Sequence, residues 1–85
     1  MEIYQIRYFL AVAETGSFTK AADRVHVSQP TLSAGIKKLE AGLQSTLFDR
    51  QARRSVLSPA GIRFLDRART IMAEVERART ELTET

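Results

Sequence analysis

The chain has 85 residues, enough for one domain with a small core, and it contains no cysteine, which excludes a disulfide framework and a thiolate metal site. The sequence shows neither a signal-peptide pattern nor an apolar run near the ~20 residues that span a membrane, so a cytoplasmic protein is expected. The net charge of +3 is unevenly distributed, because residues 20–69 hold ten Lys and Arg against four Asp and Glu, the distribution expected of a polyanion-binding protein.

A first helix is predicted over residues 2–15, because apolar residues recur there at helical spacing. These residues are Ile3, Ile6, Phe9, Leu10 and Ala13. Gly16 follows at the position where a left-handed residue commonly ends a helix. Tyr4 and Tyr8 also have helical spacing, and we assign them to the margin of the core rather than to base stacking.

Two more helices, separated by a three-residue turn, are predicted next. The first covers residues 18–25, with Ser17 as its N-cap and small residues on its inner face. The second begins after Ser28, also an N-cap, and carries Pro30 in its first turn, where a missing N–H costs nothing. Its apolar stripe consists of Leu32, Ile36, Leu39 and Leu43. This arrangement is a helix-turn-helix, whose second helix is the candidate for the DNA major groove.

The side of this second helix opposite the stripe carries short, polar or basic residues and no acid. They are Pro30, Thr31, Ala34, Lys37, Lys38 and Ala41, with Ser33 at the edge. A helix face that is merely solvated usually mixes both signs of charge. This face is therefore the strongest candidate in the chain for contact with a polyanion. Gly35 inside the helix is expected to weaken it by about 0.5–1 kcal/mol relative to Ala.

A two-stranded wing is predicted over residues 47–58, because two short β-compatible runs flank a polar loop. The loop holds Arg50, Arg53 and Arg54. A narrow minor groove attracts guanidinium groups through its negative potential. We therefore predict that residues 50–54 contact the minor groove, and a solvated basic loop is the alternative.

The last helix is predicted to start at Pro59, with Ser58 as its N-cap. Apolar residues step through it by four and three, the heptad pattern of a coiled coil. They are Phe64, Ala68, Ile71, Val75, Ala78 and Leu82, with Leu65 and Met72 beside them. At 1.5 Å per residue the helix would reach roughly 40 Å, longer than a body of this size covers. We expect much of this seam to pair with the same helix of a second copy.

Several motifs together resemble the N-terminal domain of a LysR-type transcriptional regulator. The motifs are Ser17-Phe18-Thr19-Lys20-Ala21-Ala22, His26-Val27-Ser28-Gln29-Pro30-Thr31-Leu32-Ser33, Leu39-Glu40, Leu47-Phe48-Asp49-Arg50 and Ala60-Gly61. The resemblance implies an all-α fold with a small two-stranded wing, divided into a winged helix-turn-helix DNA-binding domain over 1–58 and a linker and dimerisation helix over 59–85. The chain departs from the family pattern at Gln44, where Gly is expected, at Ser55, where an apolar residue is expected, and at Ala34, where many relatives carry Arg.

Similarity to this family implies that the protein binds double-stranded DNA as a homodimer, in which the two linker helices pair antiparallel. It also allows a tetramer as a further assembly of the full-length protein. The residues nearest the bases would be Gln29, Pro30, Thr31, Ser33 and Ala34. Phosphate contacts would come from Ser17, Thr19, Lys20, His26, Ser28, Lys37 and Lys38. The resemblance also implies a longer protein, whose further α/β domain would sense a small-molecule effector. No cofactor is expected in residues 1–85.

Two other functional classes fit the sequence less well. A basic protein-interaction or adaptor module that dimerises through a coiled coil is the alternative, although it does not require short side chains on the second helix of the helix-turn-helix. An enzyme is not expected, because no nucleophile–base set, Gly-rich phosphate loop or carboxylate pair is present. His26 is the single histidine and cannot complete a zinc site in a chain without cysteine.

Overall fold

The computed structural model of the protein describes residues 1–49 and 55–84. These ranges contain four helices, α1 (Ile3–Thr15), α2 (Phe18–Val25), α3 (Gln29–Leu43) and α4 (Pro59–Thr83). In the described part of the chain, no helix is long and apolar enough to span a membrane. The predicted all-α architecture is confirmed.

The predicted helix caps are confirmed as well, and α1 begins at Ile3, one residue later than predicted. Three serine hydroxyls cap helices: those of Ser17, Ser28 and Ser58 accept the backbone N–H groups of Lys20, Thr31 and Gly61 at 3.1, 3.2 and 3.0 Å. The residues after α1, α2 and α3 are left-handed: Gly16 with φ 70°, His26 with φ 61° and Gln44 with φ 53°. His26 and Gln44 have a Cβ that this conformation disfavours, so both turns are strained.

Helix α1 is the centre of the fold, because it packs against each of the other three helices, while α2 also packs against α3. Ile6, Phe9 and Val12 are buried in this position. Ile3, which shares the predicted apolar face, is 48% exposed because it lies at the start of the helix. More of the surface of α1 is therefore buried than one apolar stripe predicts, because the other helices cover this central helix on several sides.

The four phenylalanines of the chain form one cluster at the middle of the core. Phe48 is fully buried, and its ring centroid lies 5.5 Å from that of Phe9 and 5.6 Å from that of Phe18. The ring of Phe64 lies 5.1 Å from that of Phe9, in an edge-to-face arrangement. The cluster joins α1, α2, α4 and the segment after α3, so aromatic packing connects the helix-turn-helix to the long helix.

The predicted two-stranded wing is not resolved as strands in the residues that the structure describes. An isolated antiparallel bridge joins Phe48 and Leu57, and the N–H of Asp49 donates to the carbonyl of Val56 at 2.6 Å. The two arms of the predicted wing therefore meet at its base. Arg50, Arg53 and Arg54 lie outside the described residues, so their contact with the minor groove stays a prediction.

The long helix α4 corrects one expectation about its seam. Ala68 is fully buried and Met72 is 9% exposed within this single chain, while Phe64, Ile71 and Val75 pack partly buried against the same core. The first half of the seam therefore packs on the apolar side of α1 within the same chain. The sequence had predicted that this part would pair with a second copy. The end of the seam differs, since Ala78 is exposed and Leu82 is 82% exposed.

The start of α4 is held close to the segment that follows α3. A Cβ added to Gly61 would collide with the carbonyl oxygen of Leu47. That carbonyl accepts the N–H of Ser58 at 2.9 Å, and the hydroxyl of Ser58 donates to the carbonyl of Thr46 at 2.6 Å. The backbone at Leu47 therefore lies so close to α4 that no side chain fits at Gly61. This contact gives a physical reason for the glycine in the Ala60-Gly61 motif.

Candidate nucleic-acid interface

Helix α3 separates its two faces as the sequence predicts. Leu32, Ile36 and Leu39 are buried, and Leu43 is partly buried. On the opposite side the exposed residues are Pro30, Thr31, Ala34, Lys37, Lys38 and Ala41. Gln29 and Ser33 are partly exposed. Gln29 lies at the start of this outer face, and Ser33 lies at its edge. The predicted base-contacting residues therefore share one accessible surface on the first two turns of α3.

Ser28 organises the first turn of α3. Its hydroxyl oxygen accepts the N–H of Thr31 at 3.2 Å, and its O–H donates to the hydroxyl of Thr31 at 2.9 Å. Because the Thr31 hydroxyl receives this bond, its own proton remains available for an acceptor outside the protein. The predicted capping role of Ser28 is therefore confirmed, and its contact with a phosphate stays a prediction.

The beginnings of α2 and α3 lie next to each other. The hydroxyl of Thr19, in the first turn of α2, donates to the side-chain carbonyl oxygen of Gln29 at 3.3 Å. Each helix N-terminus carries partial positive charge from unpaired N–H groups, which favours a nearby phosphate. Ser17 caps α2 by accepting the N–H of Lys20, and the bond to Gln29 brings Thr19 to the start of α3.

The five cations of α1, α2 and α3 fall into two groups. Arg24 forms an ion pair with Glu14 at 2.9 Å, and Arg7 pairs with Glu76 at 3.4 Å, so these two arginines connect α1 to α2 and to α4. Lys20, Lys37 and Lys38 are exposed, and no ion pair involves them within residues 1–49 and 55–84. These three lysines are therefore available to an external anion, whereas the two arginines serve the fold.

His26 is exposed and follows α2 in the left-handed conformation. Its backbone N–H lies 3.3 Å from the carbonyl oxygen of Asp23. Within the described residues, no three His, Cys, Asp or Glu side chains form a group that could hold a metal ion. The backbone of His26 thus completes the turn of the helix-turn-helix, and its contact with a phosphate stays a prediction.

Gly35 has a packing role that the sequence reading missed. A Cβ at this position would lie 2.6 Å from Cδ2 of Tyr8, so the ring of Tyr8 rests directly on the backbone of α3. The ring of Tyr4 meets that of Tyr8 edge-on, with centroids 5.3 Å apart. A glycine inside a helix that also carries a clear apolar stripe is the signal that indicates such a close approach. This contact holds α3 against α1.

Glu40, which the sequence presents only as part of a family motif, has a buried structural role that the sequence did not predict. Its carboxylate accepts the N–H of Leu47 at 2.7 Å and the N–H of Phe48 at 3.4 Å, and the residue is 8% exposed. The bonds tie α3 to the first arm of the predicted wing. A single acid near the end of an apolar stripe gives little indication of such a role, because its partners lie seven and eight residues away.

A family model described as bacterial regulatory helix-turn-helix protein, lysR family, matches residues 3–62, the part of the chain that contains this interface. The chain belongs to the LysR family. This LysR-family chain is 50% identical over 78 residues to the HTH-type transcriptional regulator TfdT of Cupriavidus pinatubonensis. The match covers 92% of the chain and 34% of TfdT, so the chain spans about a third of that regulator's length.

Solved structures of the family agree with the fold. The crystal structure of the BenM_DBD/catB site 1 DNA complex matches with a TM-score of 0.89 and 38% identity, over 96% of this chain and 92% of the other. The crystal structure of the CbnR_DBD-DNA complex matches with a TM-score of 0.86 and 41% identity, over 95% and 93% of the two chains. The arrangement of α1 to α4 is therefore that of LysR-type DNA-binding domains.

Proposed function

We propose that this LysR-family chain binds double-stranded DNA as a homodimer and is the DNA-binding part of a transcription regulator, with α3 in the major groove. The observation that supports this is the outer face of α3, which is exposed, short-chained and free of acids. Its backbone belongs to an arrangement that matches a DNA complex with a TM-score of 0.89. Short side chains let a helix approach base edges closely, and the lysines around them neutralise phosphates.

The side chains of α3 and of the neighbouring part of α2 have two roles, contact with bases and contact with phosphates. Gln29 pairs with an adenine through its amide, and Ser33 donates to or accepts from a base edge. Pro30, Thr31 and Ala34 lie against thymine methyl groups. Phosphates are held by Ser17, Lys20, His26, Ser28, Lys37 and Lys38. Because Ala34 lacks the long basic side chain that many relatives carry, base preference depends more on Gln29 and Ser33.

The remaining parts of the proposal concern the wing, the long helix and the longer protein. Residues 50–54 reach the minor groove, and the end of α4 contributes to a dimer. In a full-length cytoplasmic regulator, a further domain binds a small-molecule effector. Two exposed helix-turn-helix units on one dimer would read two half-sites, which predicts an interrupted palindrome as the operator.

Substitution of one base-reading and one phosphate-binding residue tests the proposal. Duplexes would first be selected from a random pool by binding to the chain. Gln29→Ala is expected to cost about 1–3 kcal/mol of binding free energy on the selected duplex and to relax preference at particular positions. Lys37→Ala, the matched variant on the same helix, should weaken selected and random duplexes alike. Equal losses from Gln29→Ala on both duplexes would contradict the assignment of α3 as the recognition helix.

Salt dependence gives a second measurement. The basic helix and wing of each subunit would displace several condensed counterions, so the slope of log K against log salt should be about −5 or steeper for the dimer. Fluorescence anisotropy on a labelled selected duplex at several salt concentrations measures this slope. A value near −1 would favour the adaptor module instead.

A further inference from the structure

We propose that Thr19 determines base specificity without contacting a base, by positioning the amide of Gln29. This inference rests on the proposed function of α3 and adds a positioning residue on another helix. The hydroxyl of Thr19 donates to Oε1 of Gln29 at 3.3 Å, across the turn that separates α2 from α3. Gln29 is the first residue of α3, and Thr19 is the second of α2, so the bond joins the two helix beginnings.

The position of Thr19 is itself well fixed. Ser17 caps α2 by accepting the N–H of Lys20 at 3.1 Å, and Phe18 is 8% exposed in the aromatic cluster. Thr19 lies between the cap and the first full turn, so its backbone follows a helix that is anchored at its start. Its side chain is exposed, so the hydroxyl stands at the surface beside Gln29.

The bond limits how Gln29 can present its amide. A glutamine carbonyl oxygen has two acceptor sites, and Thr19 occupies one of them. The second acceptor site and the N–H donors remain, which is the set that an adenine edge requires. An unrestrained Gln would lose side-chain freedom on binding, whereas one already held by Thr19 loses less. Thr19 therefore prepares Gln29 for adenine before DNA arrives.

This role excludes the direct phosphate contact that the family resemblance implies for Thr19. A threonine hydroxyl has one proton to donate, and a phosphate oxygen only accepts hydrogen bonds. While Thr19 donates to Gln29, it cannot donate to a phosphate. The two roles differ in their consequences, because a phosphate contact carries no sequence information and a positioned Gln29 does.

The experiment measures binding of Thr19→Val, which keeps the shape of the side chain and removes the hydroxyl. The probes are the duplex selected from a random pool by the unmodified chain and duplexes with each single base-pair change. We expect Thr19→Val to bind the selected duplex ~3–10-fold more weakly, through loss of a preorganising hydrogen bond. The loss should be concentrated at the base pair where Gln29→Ala relaxes preference. Thr19→Ser, which restores the hydroxyl, should recover the preference.

A double-mutant cycle separates the two roles of Thr19. In a Gln29→Ala background, Thr19→Val should cause almost no further loss, because the group that it positions is absent. The proposal is overturned if Thr19→Val weakens selected and random duplexes equally and does so again in the Gln29→Ala background. Thr19→Ala supplies a second variant without the hydroxyl, and circular dichroism verifies that each variant is folded.

Failure of this inference is distinguishable from failure of the proposed function. If Gln29→Ala relaxes base preference and Thr19→Val does not, only the positioning role of Thr19 is wrong. If Gln29→Ala itself leaves base preference unchanged, both the recognition role of α3 and the positioning role of Thr19 are wrong.

Discussion

Two glycines within α3 show that the same residue has different consequences in one helix. A Cβ at Gly35 would lie 2.6 Å from Cδ2 of Tyr8, whereas the nearest atom to a Cβ at Gly42 is the Met1 nitrogen at 3.9 Å. Gly42 therefore lowers the stability of α3, because an unfolded glycine has more conformational freedom to lose, and it brings no packing benefit. At Gly35 the lost helix propensity is offset by contact with an aromatic ring.

We therefore expect opposite effects from the two alanine substitutions. Gly42→Ala should raise the free energy of unfolding by about 0.5–1 kcal/mol through helix propensity. Gly35→Ala should lower it by about 1–2 kcal/mol, because the displacement of a packed ring outweighs the same propensity gain. Urea unfolding followed by circular dichroism measures both. If Gly35→Ala stabilised the protein as much as Gly42→Ala, the Tyr8 ring would not be a constraint.

Gln44 is the other residue whose local conformation carries a cost. It ends α3 with φ 53° and ψ 41°, a conformation that glycine adopts without steric conflict. Gln44→Gly is expected to raise the free energy of unfolding by about 0.5–1 kcal/mol, since relief of backbone strain exceeds the added freedom of the unfolded chain. Ser45→Gly, one residue later, is the control and should give no gain. Thermal melts would decide, and no gain from Gln44→Gly would show that this turn is not strained.

At the scale of elements, one carboxylate links α3 to the first arm of the predicted wing. Glu40 accepts two backbone N–H groups, from Leu47 and Phe48, in a position that is 8% exposed. Phe48 lies at the centre of the aromatic cluster, so these bonds also hold a core side chain in place. The base of the predicted wing is therefore connected to α3 by hydrogen bonds and to α1, α2 and α4 through the aromatic cluster.

Substitutions at Glu40 test this connection. Glu40→Ala should lower the free energy of unfolding by about 2–3 kcal/mol, because buried N–H groups lose a charged acceptor. Glu40→Gln keeps a carbonyl acceptor and should cost about half as much. Chemical unfolding gives both values. Equal losses from the two substitutions would show that the negative charge, rather than the acceptor geometry, stabilises the element.

At the scale of the whole molecule, the long helix divides into a part that belongs to the core and a part that does not. Ala68 and Met72 are buried within the chain, while Leu82 is 82% exposed near the end of α4. The molecule is accordingly elongated, with principal extents of 49, 25 and 20 Å. An apolar seam that continues past the body is the part of α4 that remains for a partner in the proposed dimer.

A charge at the end of the seam tests the dimer without disturbing the core. Leu82→Glu should shift the chain toward monomer in sedimentation, because it places a carboxylate in an isologous contact twice. Thr80→Glu adds the same charge on the opposite face of α4 and should leave the sedimentation unchanged. A Leu82→Glu protein that sediments like the Thr80→Glu protein would exclude the end of α4 from a dimer interface. Val75 is less suitable, because it packs partly buried against its own core.

Local signals in the sequence determined the helices and the exposed face of α3. Serine caps, Pro30 in a first turn and the spacing of Leu32, Ile36 and Leu39 act within one or two turns of a helix, so they predict where each helix begins and which side is buried. The outer face followed as the remainder of the same helix. These features can be predicted without knowing which other elements pack against each helix.

The tertiary structure decided which surface covers each apolar or polar group. A four–three spacing in α4 suits packing on α1 as well as on a second copy, so periodicity cannot assign Ala68 to the chain's own core. Gly35 under the Tyr8 ring and Glu40 beside Leu47 likewise depend on how elements meet. The bond between Thr19 and Gln29 joins residues ten positions apart on different helices. Such pairings depend on the packing of whole helices, and helix packing is determined by the summed burial of many side chains rather than by a local pattern.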